Sequence, residues 1–288
     1  EVGDSEEKGS GIPIISLYGE NRKPKPEDLE GLDIVVFDIQ DVGVRFYTYI
    51  STLHYVMEAC AENEVKLLIL DRPNPNGDYV DGPVLRDGFH SFVGMHKIPV
   101  VHGLTIGELA KMINGEHWLK DSLQCKMVIV RVGNYHHQYS YSLPIKPSPN
   151  LPNDQSIRLY PSLCFFEGTM MSLGRGTEFP FQVVGYPDPS FGEFKFIPQN
   201  RPGANTPKFM GKACYGKDYR DIKPPPKFNI KELIEFYNKS GREKDFFNDY
   251  FNKLAGNSEL KKQIEAGLTE DEIRISWIEE LNDYKNLR

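Results

Sequence analysis

Two short apolar segments, each ending in an aspartate, constrain the fold of this chain more than any other feature. Residues 34–38 (IVVFD) and 66–71 (KLLILD) have the length and apolar character of strands buried on both faces of a sheet. Between them, five apolar residues recur at the spacing of one helix face: Leu53, Val56, Met57, Cys60 and Ala61. A strand, a helix and a strand at this spacing predict a right-handed crossover between two parallel strands.

Further elements extend this α/β pattern towards the C-terminus. Thr105 and Glu108 fit a capping box at the start of a helix, and residues 126–132 (KMVIVRV) look like another strand. Residues 141–161 are rich in Pro, Ser and Asn, which predicts a connection between two parts of the chain. Irregular strands and loops are expected over residues 180–226, followed by a helical tail whose last helix begins near Thr269.

The composition excludes several classes of function. The chain has 288 residues and a formal net charge of −7, without the basic clusters that nucleic-acid binding requires. Its apolar runs are too short to cross a bilayer, and it has no zinc, P-loop or serine-hydrolase motif, so we expect no metal and no cofactor. The first ten residues (EVGDSEEKGS) look like the middle of a loop, so we expect part of the N-terminus to be missing.

Polar loops follow the two aspartate-ending strands, at the edge of the sheet where open α/β folds bind ligands. Asp38 and Asp71 end the strands themselves. The two loops offer the following candidate binding residues: Gln40, Asp41, Arg45 and Tyr47 in the first, and Arg72, Asn74 and Asn76 in the second. His102, just before a helix start, is a further candidate. The structural alternative is that a strand-end Asp caps the next helix and that PNPNG is turn chemistry.

A second candidate site lies in residues 167–181 (EGTMMSLGRGTEFPF). Glu167 follows the apolar run SLCFF, and an apolar surrounding favours the protonated carboxyl group that a general acid needs. The nearby glycines allow close approach of a ligand, and Arg175 can hold a carboxylate through two hydrogen bonds. The alternative is a tight loop in which Glu167 and Arg175 form a structural ion pair.

Long motifs in this sequence resemble one known family, the NamZ-type exo-β-N-acetylmuramidases. The resemblance spans nearly the whole chain and rests on these stretches: ISLYG (15–19), VFDIQDVGVRFYTYIST (36–52), LDRPNPNG (70–77), GPV (82–84), HGLTIGELA (102–110), PSPNLP (147–152), YPSLCFFEGT (160–169), GRGT (174–177) and EAGLTEDEIRISWIEEL (265–281). It adds Asn150 and Thr177 to the candidate substrate-binding residues.

The resemblance implies a hydrolase that takes N-acetylmuramic acid from the non-reducing ends of peptidoglycan fragments, in the periplasm or outside the cell. It also implies a Rossmann-like domain over residues 11–145, a second α+β subdomain over residues 146–288, and an active site in the cleft between them. The family's glutamate before Gly-Thr falls on Glu167, whereas its upstream Glu-His-Gly segment would precede residue 1. Met170 stands where the family pattern has Asn, so one polar contact to the sugar is in doubt.

Carboxylate chemistry then predicts the roles of the candidate residues. We expect Glu167 to be one of the two carboxyl groups that glycoside cleavage requires, with the acid role favoured. Its partner is either the upstream glutamate or one of Asp38, Asp41 and Asp71. The lactyl carboxylate of muramic acid calls for a cation, for which Arg45, Arg72 and Arg175 are the candidates. Two alternatives remain: a cell-wall saccharide-binding protein without turnover, and phosphoryl transfer with Mg²⁺ held by Asp38 and Asp71.

Overall fold

The computed structural model describes residues 3–17 and 19–288, so the first two residues and Tyr18 of the ISLYG motif lie outside the described residues. Within these ranges the strands are β1 (Ser5–Glu6), β2 (Pro13–Ile14), β3 (Ile34–Phe37), β4 (Lys66–Leu70), β5 (Asp81–Val84), β6 (Pro99–Val101), β7 (Met127–Val130), β8 (Val183–Tyr186), β9 (Phe194–Phe196) and β10 (Cys214–Asp218). The α-helices are α1 (Pro26–Leu29), α2 (Tyr49–Glu62), α3 (Ile106–Gly115), α4 (Asp154–Leu163), α5 (Lys231–Lys239), α6 (Tyr250–Ala255), α7 (Glu259–Glu265), α8 (Glu270–Ile275) and α9 (Ile278–Leu287). Short 3-10 helices cover Lys120–Ser122, Cys164–Gly168 and Pro189–Phe191.

The chain divides into two compact units, each assembled from separate stretches of sequence. The first unit contains Glu1–Asp41, Tyr47–Asn74 and Leu104–His136. The second unit contains Val42–Phe46, Pro75–Gly103 and His137–Arg288. In the part of the chain that the structure describes, no helix combines the length and the apolar character needed to span a membrane.

The first unit is built on a parallel sheet with the strand order β3–β4–β7. Val35 pairs with Leu67, and Leu67 in turn pairs with Met127, in parallel register. The predicted mixed α/β fold with parallel strands is therefore confirmed, and α2 and α3 form where the helical spacing and the capping box predicted them. Each of the three strands is a short, continuous apolar run, and such runs can be predicted from the sequence alone.

The two faces of this sheet differ in burial. Phe37, Leu67 and Ile69 share one face and are at most 3% exposed. The opposite face carries four exposed aliphatic side chains: Ile34 (46%), Val36 (53%), Val128 (43%) and Val130 (49%). The prediction that 34–38 is buried on both faces was therefore wrong. A continuous apolar run shows that both faces suit burial, but it does not show that both are covered.

The second unit contains a three-stranded antiparallel sheet with the order β8–β10–β9 and a two-stranded antiparallel pair, β5 with β6. The helical tail is present, and Thr269 and Glu272 make the predicted capping box at α8. The prediction that the last helix begins near Thr269 was wrong, because α8 ends at Ile275 and α9 follows it. Residues 141–161 are not all connection, because α4 begins at Asp154. Asn153 and Ser156 cap this helix, and Pro161 lies inside it, where a proline is uncommon.

An aromatic core in the second unit supports the segment around Glu167. Phe165 lies edge-on to Phe46 and Phe251, and the ring of Phe166 is perpendicular to that of Phe236. Phe165 and Phe166 are at most 1% exposed. Their burial fixes the 3-10 helix Cys164–Gly168 to the core and determines where the Glu167 side chain emerges.

Candidate active site

The carboxylate of Asp38, directly after β3, forms an ion pair with Arg72, which lies just beyond β4. Arg72 Nε donates to Asp38 Oδ1 at 2.7 Å, and Arg72 Nη2 lies 2.6 Å from the same oxygen. Both side chains are 42% exposed. The pair is therefore accessible from solvent, and an incoming anion could compete with Asp38 for Arg72.

Asp71, at the end of β4, is engaged with the first turn of α3. Its Oδ2 accepts a hydrogen bond from Thr105 Oγ1 at 2.8 Å, and its Oδ1 accepts one from the Gly107 N–H at 2.8 Å. A Cβ at position 107 would lie 2.9 Å from Asp71 Cγ, so this contact requires glycine. These contacts give Asp71 the structural role of capping the next helix.

Gln40 and Asn74 join backbone segments within the first unit. Gln40 Nε2 donates to the carbonyl oxygens of Asp41 at 2.7 Å and Pro73 at 2.8 Å, so it links the two predicted loops. Asn74 is 4% exposed, and its Nδ2 donates to Leu104 O at 2.9 Å. Both amides thus fix the shape of the loops.

Asp41 and Tyr47 are more enclosed than the strand-end ion pair. Asp41 is 5% exposed, and Tyr47 is partly buried with its ring edge-on to that of Tyr49 at a centroid distance of 5.0 Å. Burial, together with Tyr49 and Asp41, raises the pKa of Tyr47 above the ordinary tyrosine range. Its hydroxyl therefore stays protonated at neutral pH.

In the second unit, Glu167 and Arg175 form the ion pair that the sequence offered as one of two possibilities. Arg175 Nε donates to Glu167 Oε1 at 2.5 Å, and the side chains are 37% and 26% exposed, respectively. The Arg175 guanidinium carbon also lies 4.8 Å from the centroid of the Phe181 ring. Burial acts to lower the pKa of Arg175, but the Glu167 carboxylate and other neighbours outweigh it and the pKa is raised. A carboxyl group and a permanent cation thus meet at a partly open surface.

The backbone around Glu167 is held by the segment that leads into α6. Asn248 N–H donates to Gly168 O at 2.9 Å, and Met170 N–H donates to Phe246 O at 2.8 Å. A Cβ at Gly168 would lie 2.5 Å from the Cα of Phe251, which leaves no room for a side chain. Glycine is therefore needed next to Glu167 for this close backbone contact.

Lys208 binds the same loop, although no sequence pattern predicted this contact. Its Nζ donates to the carbonyl oxygens of Thr169 at 2.6 Å and Met171 at 3.0 Å. Burial lowers the pKa of Lys208, and the negative charge of Glu167 partly offsets this effect. Lys208 lies in an irregular stretch 39 residues from Thr169, so no spacing rule connects the two.

Arg45 is enclosed in the second unit, with an exposure of 0%. Its guanidinium donates to four main-chain carbonyl oxygens, those of Pro83, Ile98, Leu254 and Ala255, at 2.8–2.9 Å. Burial lowers the pKa of Arg45. The Arg45 side chain therefore connects backbone segments of the second unit and is not accessible to solvent.

The remaining candidates of the second unit also make internal contacts. Asn76 is 0% exposed and donates to two carbonyl oxygens at 2.9 and 3.2 Å, and His102 is 1% exposed. The side chains of Asn150 and Thr177 each donate to a main-chain carbonyl, at 2.9 and 2.6 Å. Among the predicted site residues, two pairs therefore form solvent-accessible ion pairs: Asp38 with Arg72, and Glu167 with Arg175.

These pairs define what the exposed groups can do chemically. A carboxyl group can transfer a proton or attack a carbon atom, and a guanidinium can bind a carboxylate or phosphate in a bidentate manner. Across residues 3–17 and 19–288, no three His, Cys, Asp or Glu side chains are arranged to hold a metal ion. The geometry suits acid–base or nucleophilic chemistry on a substrate that carries an anionic group.

Comparison with known proteins identifies the family. The model of the N-terminal part of exo-β-N-acetylmuramidase NamZ matches residues 1–155, and the model of its C-terminal part matches residues 158–288. The peptidoglycan β-N-acetylmuramidase NamZ of Bacillus subtilis (strain 168) is 36% identical, over 100% of this chain and 74% of that protein.

Two solved structures of DUF1343 family proteins from Bacteroides fragilis NCTC 9343 are also similar. One is 44% identical with a TM-score of 0.93, and the other is 29% identical with a TM-score of 0.83. In both comparisons, the match covers 98% of this chain and 80% of the solved chain. Since the two family models together cover nearly every residue, the chain belongs to the NamZ family of exo-β-N-acetylmuramidases, as its motifs predicted.

Proposed function

We propose that this protein releases N-acetylmuramic acid from the non-reducing ends of peptidoglycan fragments, with Glu167 as a catalytic carboxyl group. The named activity of the Bacillus subtilis relative supports the reaction class. The structural observation that supports the role of Glu167 is its contact with Arg175, in which a partly exposed carboxyl group lies 2.5 Å from a guanidinium. The loop that carries both is anchored by Lys208 and by the segment before α6.

Arg175 links recognition of the substrate to the state of Glu167 in this proposal. Muramic acid carries a lactyl carboxylate, which can form two parallel hydrogen bonds with a guanidinium. When that carboxylate binds Arg175, it replaces Glu167 as the partner of the guanidinium. Glu167 is then released from the guanidinium, and its carboxyl group becomes available to transfer a proton to the leaving oxygen. A substrate without the lactyl group leaves the ion pair closed.

Arg72 is the second candidate for lactyl recognition, because it is exposed and its partner Asp38 can be displaced. Arg45 is not used in the proposal, since four carbonyl oxygens hold its buried guanidinium. Glycoside cleavage also needs a second carboxyl group. For this second group, Asp38 and Asp41 stay predictions from the sequence, whereas both carboxylate oxygens of Asp71 are bonded to the first turn of α3.

The proposal includes the setting of the protein as well as its chemistry. Peptidoglycan lies outside the cytoplasmic membrane, so we propose that the protein works in the periplasm or outside the cell. The proposal keeps a Rossmann-like domain over residues 11–145 and an α+β subdomain over residues 146–288; the two family models change over between residues 155 and 158, which lies near this boundary.

The experiment that tests the function compares a chromogenic β-N-acetylmuramide with the matching β-N-acetylglucosaminide. We expect release from the muramide alone. Glu167→Gln should lower kcat by roughly 100- to 10,000-fold, the usual contribution of a proton-transferring side chain. Glu178→Gln is the matched control, since the Glu178 side chain is 77% exposed and lies in the same segment.

The result also separates the enzyme from a saccharide-binding protein without turnover. A binding protein would release no chromophore before or after the substitution, while its affinity for muramic saccharides would persist. Wild-type turnover that survives Glu167→Gln would reject the role of this glutamate and leave the reaction class intact.

A further inference from the structure

A cavity of about 430 Å³ lies in the second unit, and none of the candidate site residues lines it. Leu159 and Leu163 of α4 form part of its apolar wall, together with Ile222, Pro225 and Pro226. This volume falls in the range of roughly 300–1,000 Å³ that is typical of small-ligand sites. Because proline fixes φ, the wall at residues 225–226 is stiff and keeps its shape without a ligand.

One carboxyl group in this cavity is buried without a full set of partners. The Glu270 side chain is 7% exposed, and its Oε1 accepts a long hydrogen bond of 3.4 Å from Arg274 Nη1. Within residues 3–17 and 19–288, no donor has hydrogen-bond geometry to its buried Oε2, although the backbone N–H of Ile230 lies close enough to act on the pKa of this carboxyl group. Burial raises the pKa of Glu270, although Arg274 and other neighbours act in the opposite direction. An unmatched buried oxygen destabilises the folded state, and a ligand N–H would satisfy it.

Positive charge borders the same cavity. Lys223, Lys227 and Lys231 line it and are exposed to solvent. Two further carboxylates, those of Glu232 and Asp271, also line the cavity, and Lys231 acts to lower the pKa of Glu270. The cavity thus combines an aliphatic wall, a buried acceptor and exposed ammonium groups.

We propose that this cavity binds a short peptide with small apolar side chains and a free carboxylate. The peptide side chains would contact the aliphatic wall, a peptide N–H would donate to Glu270, and the terminal carboxylate would pair with the lysines. Sugar rings usually stack on exposed aromatic faces, whereas this wall consists mainly of leucine, isoleucine and proline, and its aromatic residue, Tyr219, is 5% exposed with its hydroxyl bonded to Glu232. The inference rests on the proposed function to the extent that peptidoglycan, the proposed substrate, supplies such peptides.

Calorimetric titration with trialanine and with trialanine amide tests the proposal. We expect saturable binding of trialanine at millimolar concentrations and weaker binding of the amide. Glu270→Leu should weaken trialanine binding by about 10- to 100-fold, because the peptide N–H loses its acceptor. Asp271→Asn is the matched control: Asp271 also lines the cavity but is exposed, so affinity should change by less than about twofold.

Two results would overturn the assignment: no saturable trialanine binding to the wild type, or equal affinity in Glu270→Leu. If Glu270→Leu does not fold, the exposed double substitution Lys227→Ala and Lys231→Ala carries the test. It should abolish the preference for trialanine over its amide, and an unchanged preference rejects the proposal. The chromogenic muramide assay is run separately, so a protein that binds trialanine but cleaves nothing refutes only the activity. A protein that cleaves the muramide but binds no trialanine refutes only the peptide site.

Discussion

Replacing Arg45 with methionine is expected to lower the free energy of unfolding by about 3–5 kcal/mol. The change removes the donors to four buried carbonyl oxygens, on Pro83, Ile98, Leu254 and Ala255. At about 1–3 kcal/mol for each unsatisfied acceptor, the loss is about 4–12 kcal/mol. Methionine also removes the penalty of burying a guanidinium, which is several kcal/mol and offsets part of that loss.

Urea denaturation followed by circular dichroism measures this change through the shift in the midpoint at constant slope. Arg72→Met is the control, because Arg72 and Asp38 form an exposed ion pair worth about 0–1 kcal/mol. The reasoning is refuted if Arg45→Met loses less than about 1 kcal/mol. A stable Arg45→Met protein that no longer cleaves muramides would instead show that the Arg45 guanidinium is required for activity and not for stability.

Three further predictions concern the candidate site and the cavity. Arg175→Ala should reduce kcat/KM for muramides by roughly 10- to 100-fold or more through loss of a charged hydrogen bond, and equal losses on glucosaminides would reject lactyl recognition by this residue. Lys208→Met should lower the free energy of unfolding by about 2–3 kcal/mol and reduce kcat more than KM, because the carbonyl oxygens of Thr169 and Met171 lose the Lys208 ammonium and Glu167 shifts. Restored kcat in Lys208→Arg would support a positioning role, and unchanged kcat in Lys208→Met would exclude it. The folded-state pKa of Glu270 is raised above its ordinary value of 4.5. The protonated Glu270 therefore contributes fully to the stability of the folded state below pH 4.5, and this contribution is lost as the pH rises through the folded-state pKa. Glu270→Gln should therefore raise Tm at pH 7 relative to wild type but not at pH 4, and an equal Tm difference at both values would contradict the buried-acid interpretation.

The sheet and its helices were predictable because their signals are local. β3, β4 and β7 are short apolar runs, and α3 carries its capping box within four residues. The uncovered sheet face was not predictable, because Ile34 and Val36 are residue types that also occur on sheet faces covered by a helix. α4 was missed over part of its length because Pro161 suggests a break, whereas Asn153 and the buried apolar face stabilise the helix.

The candidate site was predictable only where its partners lie close in sequence or at neighbouring strand ends. Glu167 and Arg175 are eight residues apart, and Asp38 and Arg72 follow adjacent parallel strands. The four carbonyl partners of Arg45 come from two distant parts of the chain, and no residue type marks them in advance. Lys208 is equally invisible, because a main-chain carbonyl can bond with any donor that the fold brings to it.

The one-sided sheet also has a consequence for local unfolding. Covered apolar surface contributes roughly 25 cal/mol per Å² to stability, and the four aliphatic residues on the open face obtain only part of it. Among the strands of the described residues, β7 pairs only with β4, so the backbone amides on its outer edge lack a neighbouring strand. Amide hydrogen exchange should therefore be faster in β3 and β7 than in the aromatic core around Phe165, with the sheet opening at a smaller free energy than the whole chain.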